Sequence, residues 1–511
     1  MTRLSIALIC ALMLGTSLHA QTWTKAGSGS NSLFAYGDIS TLCSDNYGNI
    51  YVAGFVRLIP TTTPTYDTNS YDTPIYKWDG TTWSDLGSPY PGSIGLDRPI
   101  STICADASGN IYAAAYRVDI ISGEPTEMYH VNMWDGTSWT QLGGTEGGAR
   151  YAAGGIAKIA VDKYNNVYAV GGFYSDTSYS SGYVAKWDGT SWSEVGTGAN
   201  ALHANSNMDD IIVDTAGNIY VAGAFSDGPF IHDSGIGNTG NLYVAKWDGT
   251  SWSELGSGVM PVNHDFDFEI YSLVQDTAGN IYAAGALADS ISGFYIAKWD
   301  GVTWSHLGGF NNLVFSMTKD IHGNVYAAGA FNDTSITSTI FSYEHPQYVA
   351  KLNSTGLGWD KVGTGSGGIN ANDPIASVCT DSYGNLYAGG EFTDTSYTYN
   401  VLDSYTIASV LTFDTLHGHP HYVAKYGSAT TGITSVHKSA AIDVYPNPAH
   451  DALTITSSSN ITSVSINDVV GKSVYVHAYN ANRVVVDVSE LPIGTYLIKV
   501  NDTEVRKFVK E

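Results

Sequence analysis

One pattern, Asp-x-x-Gly-Asn-(Ile/Val/Leu)-Tyr, constrains the fold more than anything else in this 511-residue chain. It begins at Asp45, Asp106, Asp162, Asp214, Asp276, Asp320 and Asp381, with Asn165 replacing the glycine in the third copy. Intervals of 61, 56, 52, 62, 44 and 61 residues mark a repeat array, in which each unit covers an apolar face of the next. A second pattern follows each copy, as in "AKWDGTSWSELG" (245–256) and "AKWDGVTWSHLG" (297–308). The sixth copy of it, "AKLNSTGLGWDKVG", is degenerate, and the seventh, "AKYGS" (424–428), stops before its second half.

Each unit reads as a four-stranded meander. "IYSLVQD" is a first strand, and "DTAGN" a tight turn whose Gly and Asn tolerate positive φ. "IYAAGAL" is a second strand, with small residues that let sheets approach. After a variable loop come "YIAKWD", a short turn and "TWSHLG". Short β-rich segments between Gly/Asn/Asp turns exclude βαβ units and predict an all-β fold. Seven first patterns against six complete second patterns leave one outer strand missing. "TWTKAGS" (22–28) supplies it, Trp23 and Gly27 matching the Trp and Gly of "TWSHLG". An array that borrows its first strand to finish its last unit is a ring, so residues 21–428 are expected to form a seven-bladed β-propeller closed by an N-terminal strand. The units resemble those of bacterial repeat propellers, a likeness that implies fold and little about activity.

"MTRLSIALICALMLGTSLHA" reads as a signal peptide over 1–20, cut after Ala20, and no later stretch is apolar enough to span a membrane. Without the leader 22 basic residues face 48 acidic ones. Such a surface repels nucleic acid and anionic membranes, and reads as a device for solubility ahead of an attraction for cations or cationic partners. The three cysteines beyond the leader, Cys43, Cys104 and Cys379, each lie two residues before a motif Asp. An odd count at equivalent repeat positions reads as small core residues rather than a disulfide framework.

After a Gly/Ser/Thr/Ala-rich linker (429–441) the composition changes. Residues 442–511 read as six or seven short strands in a small Ig-like sandwich. This block resembles the C-terminal sorting domain of type IX secretion cargo of Bacteroidetes-type bacteria. The matching residues are Tyr445-Pro446-Asn447-Pro448, Gly471-Lys472, Leu491-Pro492-x-Gly494-x-Tyr496 and the basic end Lys507 to Lys510. The resemblance implies export through the inner membrane, passage across the outer membrane with the type IX machinery as partner, and a secreted or cell-surface location.

Candidate binding residues lie in the insertions 56–75, 117–130, 174–182, 226–242, 332–346 and 393–420, which a meander places on the side opposite its tight turns. These are rich in tyrosine, including Tyr66, Tyr71, Tyr179, Tyr343, Tyr397, Tyr399 and Tyr405, a residue suited to glycan or protein surfaces. The only arginines of the propeller, Arg57, Arg98, Arg117 and Arg150, fall in its first two units or their linkers. Their guanidinium groups would clamp a carboxylate or sulfate. Asp119, Asp227, Asp289, Asp333 and Asp394 recur seven residues after the motif Tyr, Asp176 one later. They would suit calcium if their oxygens converged, whereas a local turn bond is the commoner role. His417, His419 and His421 in "LHGHPHY" have the spacing of a zinc or copper site, although "EHPQYVA" in the sixth unit makes part of that stretch repeat inheritance. "WDGTSW" approaches the Asp-box turn of sialidases but lacks a residue between Asp and Gly, and no nucleophile elbow, phosphate loop or zinc-protease helix appears, although acidic residues are plentiful enough for a carboxylate pair. The expectation is a secreted or surface β-propeller that binds a glycan or protein without a resident cofactor. The alternatives are a polysaccharide-active hydrolase or lyase and a structural spacer.

Overall fold

The computed structural model describes most of residues 21–427 and 442–511. Residues 1–20, the linker 428–441 and parts of the long insertions, chiefly 59–73, 90–99, 144–154, 173–181, 232–236, 263–268, 333–345 and 394–398, lie outside the described residues. The chain divides into two compact units, 1–429 and 430–511.

The first unit is all-β and propeller-like, with seven antiparallel sheets built on four strands each, numbered here in the order of their motif Asp. Sheet 4 is representative: Met208–Val213, Ile219–Gly223, Ala245–Trp247 and Trp252–Glu254. Sheet 5 carries an extra two-residue strand, Ala288–Asp289. The second strands of six sheets are buried from end to end, as in Ile281–Gly285, so both faces meet neighbouring sheets. Gly285 closes such a strand because a Cβ there would lie 2.1 Å from the Glu269 carbonyl oxygen.

The motif has one job in all seven sheets. In sheet 5, Asp276 Oδ1 accepts from the amides of Ala278 and Asn280, and Oδ2 from Asn280 Nδ2 (2.6 Å) and Tyr282 Oη (3.1 Å). Asp45 and Asp381 are buried and make the same four contacts. The glycine is needed for its positive φ, 88° at Gly279, and Asn165 takes the same left-handed backbone at 64°. On the opposite edge, "WDGT" is a side-chain-locked turn: Asp248 Oδ1 accepts from Thr250 N, Thr250 Oγ1 and Ser251 N.

Neighbouring sheets are tied in two layers. First strands pack in cyclic succession, that of sheet 7 (Ser377–Thr380) against that of sheet 1 (Ile39–Ser44). Short side chains four residues before the motif Asp bridge them. Ser272 Oγ accepts from Met317 N, Ser316 Oγ from Val378 N, and Ser377 Oγ from Leu42 N at 3.0 Å. In the outer layer six of the seven fourth-strand indoles donate to the sheet before them. Trp83 reaches Ala26 O, Trp139 Leu86 O, Trp252 Val195 O and Trp304 Leu255 O. Thr22–Lys25 stands in this chain as the fourth strand of sheet 7. It pairs with Ala424–Gly427, Trp23 faces Tyr426, and Trp23 Nε1 donates to Val362 O of sheet 6 at 2.8 Å. Trp23 is only half-buried, because an outermost strand covers a single neighbour. The indole of Trp359 in sheet 6 has no such acceptor. There the turn is longer and Leu352 replaces the partner Trp, and Trp359 packs on Phe310 at 5.5 Å.

The three cysteines are free thiols, Cys379 buried and the others half-buried, all within sheet cores. Burial pushes each thiol up, Cys104 to about 12.

The second unit is one five-stranded sheet, where the sequence suggested six or seven short strands. Ala452–Asp468 and Ser473–Asp487 are each continuous through bulges. The first half of Ala452–Asp468 pairs with Ile442–Tyr445 and its second half with Gly494–Val500. Leu453, Ile455, Val464, Ile466, Val486, Ile498 and Phe508 form its core.

Candidate functional site

The repeated carboxylates are held too tightly for chemistry. Burial, followed by the adjacent carboxylate, pushes the motif tyrosine hydroxyls up, Tyr220 to about 12 and the others beyond the ordinary phenol range. Burial acts to raise Asp214 and Asp320, yet their amide and hydroxyl donors outweigh it and hold both below the usual range. In the exposed turns, donors take Asp188 and Asp248 down to about 2. These groups accept hydrogen bonds and stay ionised.

Strand alternation puts every Asp-x-x-Gly-Asn and Trp-Asp-Gly turn at one end of the sheets, the turn side. The second-to-third-strand insertions and the links between sheets sit at the other, the loop side. Insertions read as loops are partly strand. Residues 117–130 extend sheet 2 as Ile111–Ile121 paired with Glu124–Trp134, and Tyr399–Ile407 pairs with Val410–Gly418. Arg117 and Asp119 thus stand on a regular hairpin, opposite Met128 and Thr126. Arg57 lies in the two-residue strand Arg57–Leu58 beside Ala35–Tyr36. Only the backbone placement of these residues, and of Tyr399, Tyr405, Asp289 and His417, is described. Arg98, Arg150, Tyr66, Tyr71, Tyr179, Tyr343, Tyr397, Asp176, Asp227, Asp333, Asp394 and His419 lie outside the described residues.

His417 stands on the hairpin opposite Asn400, and His421, which precedes the third strand of sheet 7 (Ala424–Gly427), bridges Ala35 and Thr393. Burial lowers His421, opposed by Asp38, whose carboxylate is 3.6 Å from Nε2. Among the described residues no group of three His, Cys, Asp or Glu is placed to hold a metal ion.

Two loop-side features escape sequence reasoning. Asp209, at the bulge that opens the first strand of sheet 4, has a buried Oδ2 without a partner. Burial, then Glu269 and Asp210, push its carboxyl up to about 7. Asp210 is buried beside it and accepts from Ile211 N and Leu273 N. The signal was available, because Asp210 occupies the position that is Thr or Ser in five other repeats and Lys158 in the third.

In the tail, Tyr445 ends a strand and is exposed, as is Pro448, while Pro446, Asn447 and Gly471 lie outside the described residues. Ala449, after the Pro-Asn-Pro run, is bonded to the C-terminal strand through Val509 O and Glu511 N. Gly494 opens the strand that carries Tyr496, whose hydroxyl donates to Pro492 O (2.7 Å) and whose ring stacks on Phe508 at 5.6 Å. Lys507 stands opposite Leu497. Lys510 is buried, with Nζ donating to Glu511 O. Several residues of the sorting pattern therefore join the two ends of one sheet.

Residues 443–511 match the family described as a secretion system C-terminal sorting domain. The chain accordingly carries the sorting tail of type IX secretion cargo, which marks it for the cell surface or the medium. No helix among the described residues is long and apolar enough to cross a membrane. No curated protein matches the chain. Similar solved structures include PorZ, an essential surface component of the type IX secretion system of Porphyromonas gingivalis (14% identity, TM-score 0.43, 93% of this chain and 59% of that one). The chain thus spans about three fifths of PorZ. Others are the WD40 β-propeller domain of Doa1 (11%, 0.42, 70% and 92%) and an ulvan lyase, a polysaccharide lyase (12%, 0.40, 71% and 93%).

Proposed function

We propose that the first unit is a closed seven-bladed β-propeller, completed by its N-terminal strand and followed by an Ig-like sorting domain. On this reading it serves outside the cell as a binding module for a glycan or protein. The observation that carries the reading is the division of labour within the repeat. The recurring Asp, Asn, Tyr and Trp side chains bond within the scaffold, while length and composition vary most on the loop side. A regular frame with one variable rim is a binding architecture. Strand pairing between Thr22–Lys25 and Ala424–Gly427, with the Trp23 bond to sheet 6, supports closure.

Arg57 and Arg117 are the proposed anchors for an acidic glycan, with Arg98, Arg150 and the loop tyrosines as further candidates. Calcium is the ion to test alongside. A glycan array probed with the exported protein, with and without calcium, is expected to show binding to uronate, sialylated or sulfated glycans that is lost in an Arg57→Ala/Arg117→Ala variant. Binding unchanged by that double substitution would discard the arginine site. A blank array would turn the search to protein ligands, and release of sugar fragments would replace the binding reading with a hydrolase or lyase.

A further inference from the structure

Six of the seven sheets place a lysine over the motif tyrosine. Lys77 Nζ is 5.8 Å from the centre of the Tyr51 ring, and Lys186, Lys246, Lys298, Lys351 and Lys425 repeat the contact. Sheet 2 differs: Met133 stands opposite Tyr112. Sheet 3 differs at its motif, where Asn165 replaces glycine. These two departures line the same cleft, about 600 Å³, between sheets 2 and 3 on the turn side. Tyr112 and Trp187 are its aromatic lining residues, and Asn110, whose Nδ2 donates to Asp106 Oδ2, Asn165 and Gln141 are its amides. None of its lining side chains is charged, in a protein whose net charge is −25.

We propose that this cleft binds a neutral saccharide. A sugar ring has apolar C–H faces that pack on aromatic walls and hydroxyls that both donate and accept, matching primary amides. The volume is that of a small-molecule site, where roughly 300–1,000 Å³ is usual. An ionised sugar would find no cation to pair with and would enter against the field of an acidic protein. The site is separate from the loop-side arginines, so either can fail without the other.

The test is calorimetric titration of the intact exported protein with maltose, cellobiose and lactose, and with glucuronate as the charged control. The comparison is a Met133→Lys/Asn165→Gly variant, which installs residues that six other repeats already carry at those positions. The expected result is that at least one neutral disaccharide binds the natural protein. The double variant should weaken it by about tenfold or more, because a lysine at 133 would cover the Tyr112 ring as it does in the six other sheets, at an unchanged melting temperature. Should that variant unfold, Trp187→Leu, the residue at Leu352 in sheet 6, should give the same loss. No heat with any neutral disaccharide, affinity retained in the folded variant, or equal binding of glucuronate would each overturn the proposal.

Discussion

At the residue scale the motif Asp is the hub of each repeat. Asp276→Ala leaves two amides, an Asn side chain and a tyrosine hydroxyl without their acceptor, and should cost about 2–4 kcal/mol in chemical denaturation. Tyr282→Phe removes one bond and should cost about 1 kcal/mol. Asp300→Ala, in an exposed turn, should cost less than either. That a tight turn lay here was readable from Gly and Asn alone. That the Tyr six residues on closes it was not, because reach depends on the strand pleat. Asp209 makes a second prediction. Its folded carboxyl titrates near 7 against an ordinary 3.8, so its contribution is intact below 3.8 and lost as pH rises toward 7. Asp209→Asn should therefore gain stability over the natural protein increasingly from pH 4 to 7, with a plateau above. A difference independent of pH would show that the carboxyl is not shifted.

At the scale of elements, the orphan "TWTKAGS" was legible because a repeat supplies its own template: an unmatched half must complete another half. The hairpins at 111–134 and 399–418 were not. Both fall in insertions of variable length for which the repeat supplies no template, so they read as loops. The tail's long strands were broken too finely for another reason, since bulges interrupt alternation without ending the ladder. Trp23 belongs to this scale because it joins three elements: it faces Tyr426, packs with the core between sheets 6 and 7, and bonds Val362 O. Trp23→Ala should cost about 2–3 kcal/mol, below the value for a fully buried indole, and lower the melting temperature accordingly. A melting temperature that does not move would mean that the first strand contributes nothing to the seventh sheet.

At the scale of the whole first unit, the proposed binding function depends on the proposed ring closure. The loop-side arginines belong to the first two repeats, and closure puts the start of the first beside the seventh, where Ile39 N bonds Gly390 O and His421 bonds Ala35. An open array would present its insertions along a line, whereas a ring gathers them on one rim. The arrangement of the loop residues was beyond sequence reasoning, because variable segments carry no repeat to align. The sorting tail, by contrast, was readable residue by residue, since its pattern is tied to position in the sequence. The most direct measurement is native-state hydrogen exchange of the intact protein at the amides of Thr22–Lys25 and Ala424–Gly427. A closed ring predicts slow exchange there, matching the fourth strands of sheets 3 and 4. Exchange of Thr22–Lys25 at the rate of a free terminus, with the other fourth strands protected, would contradict it.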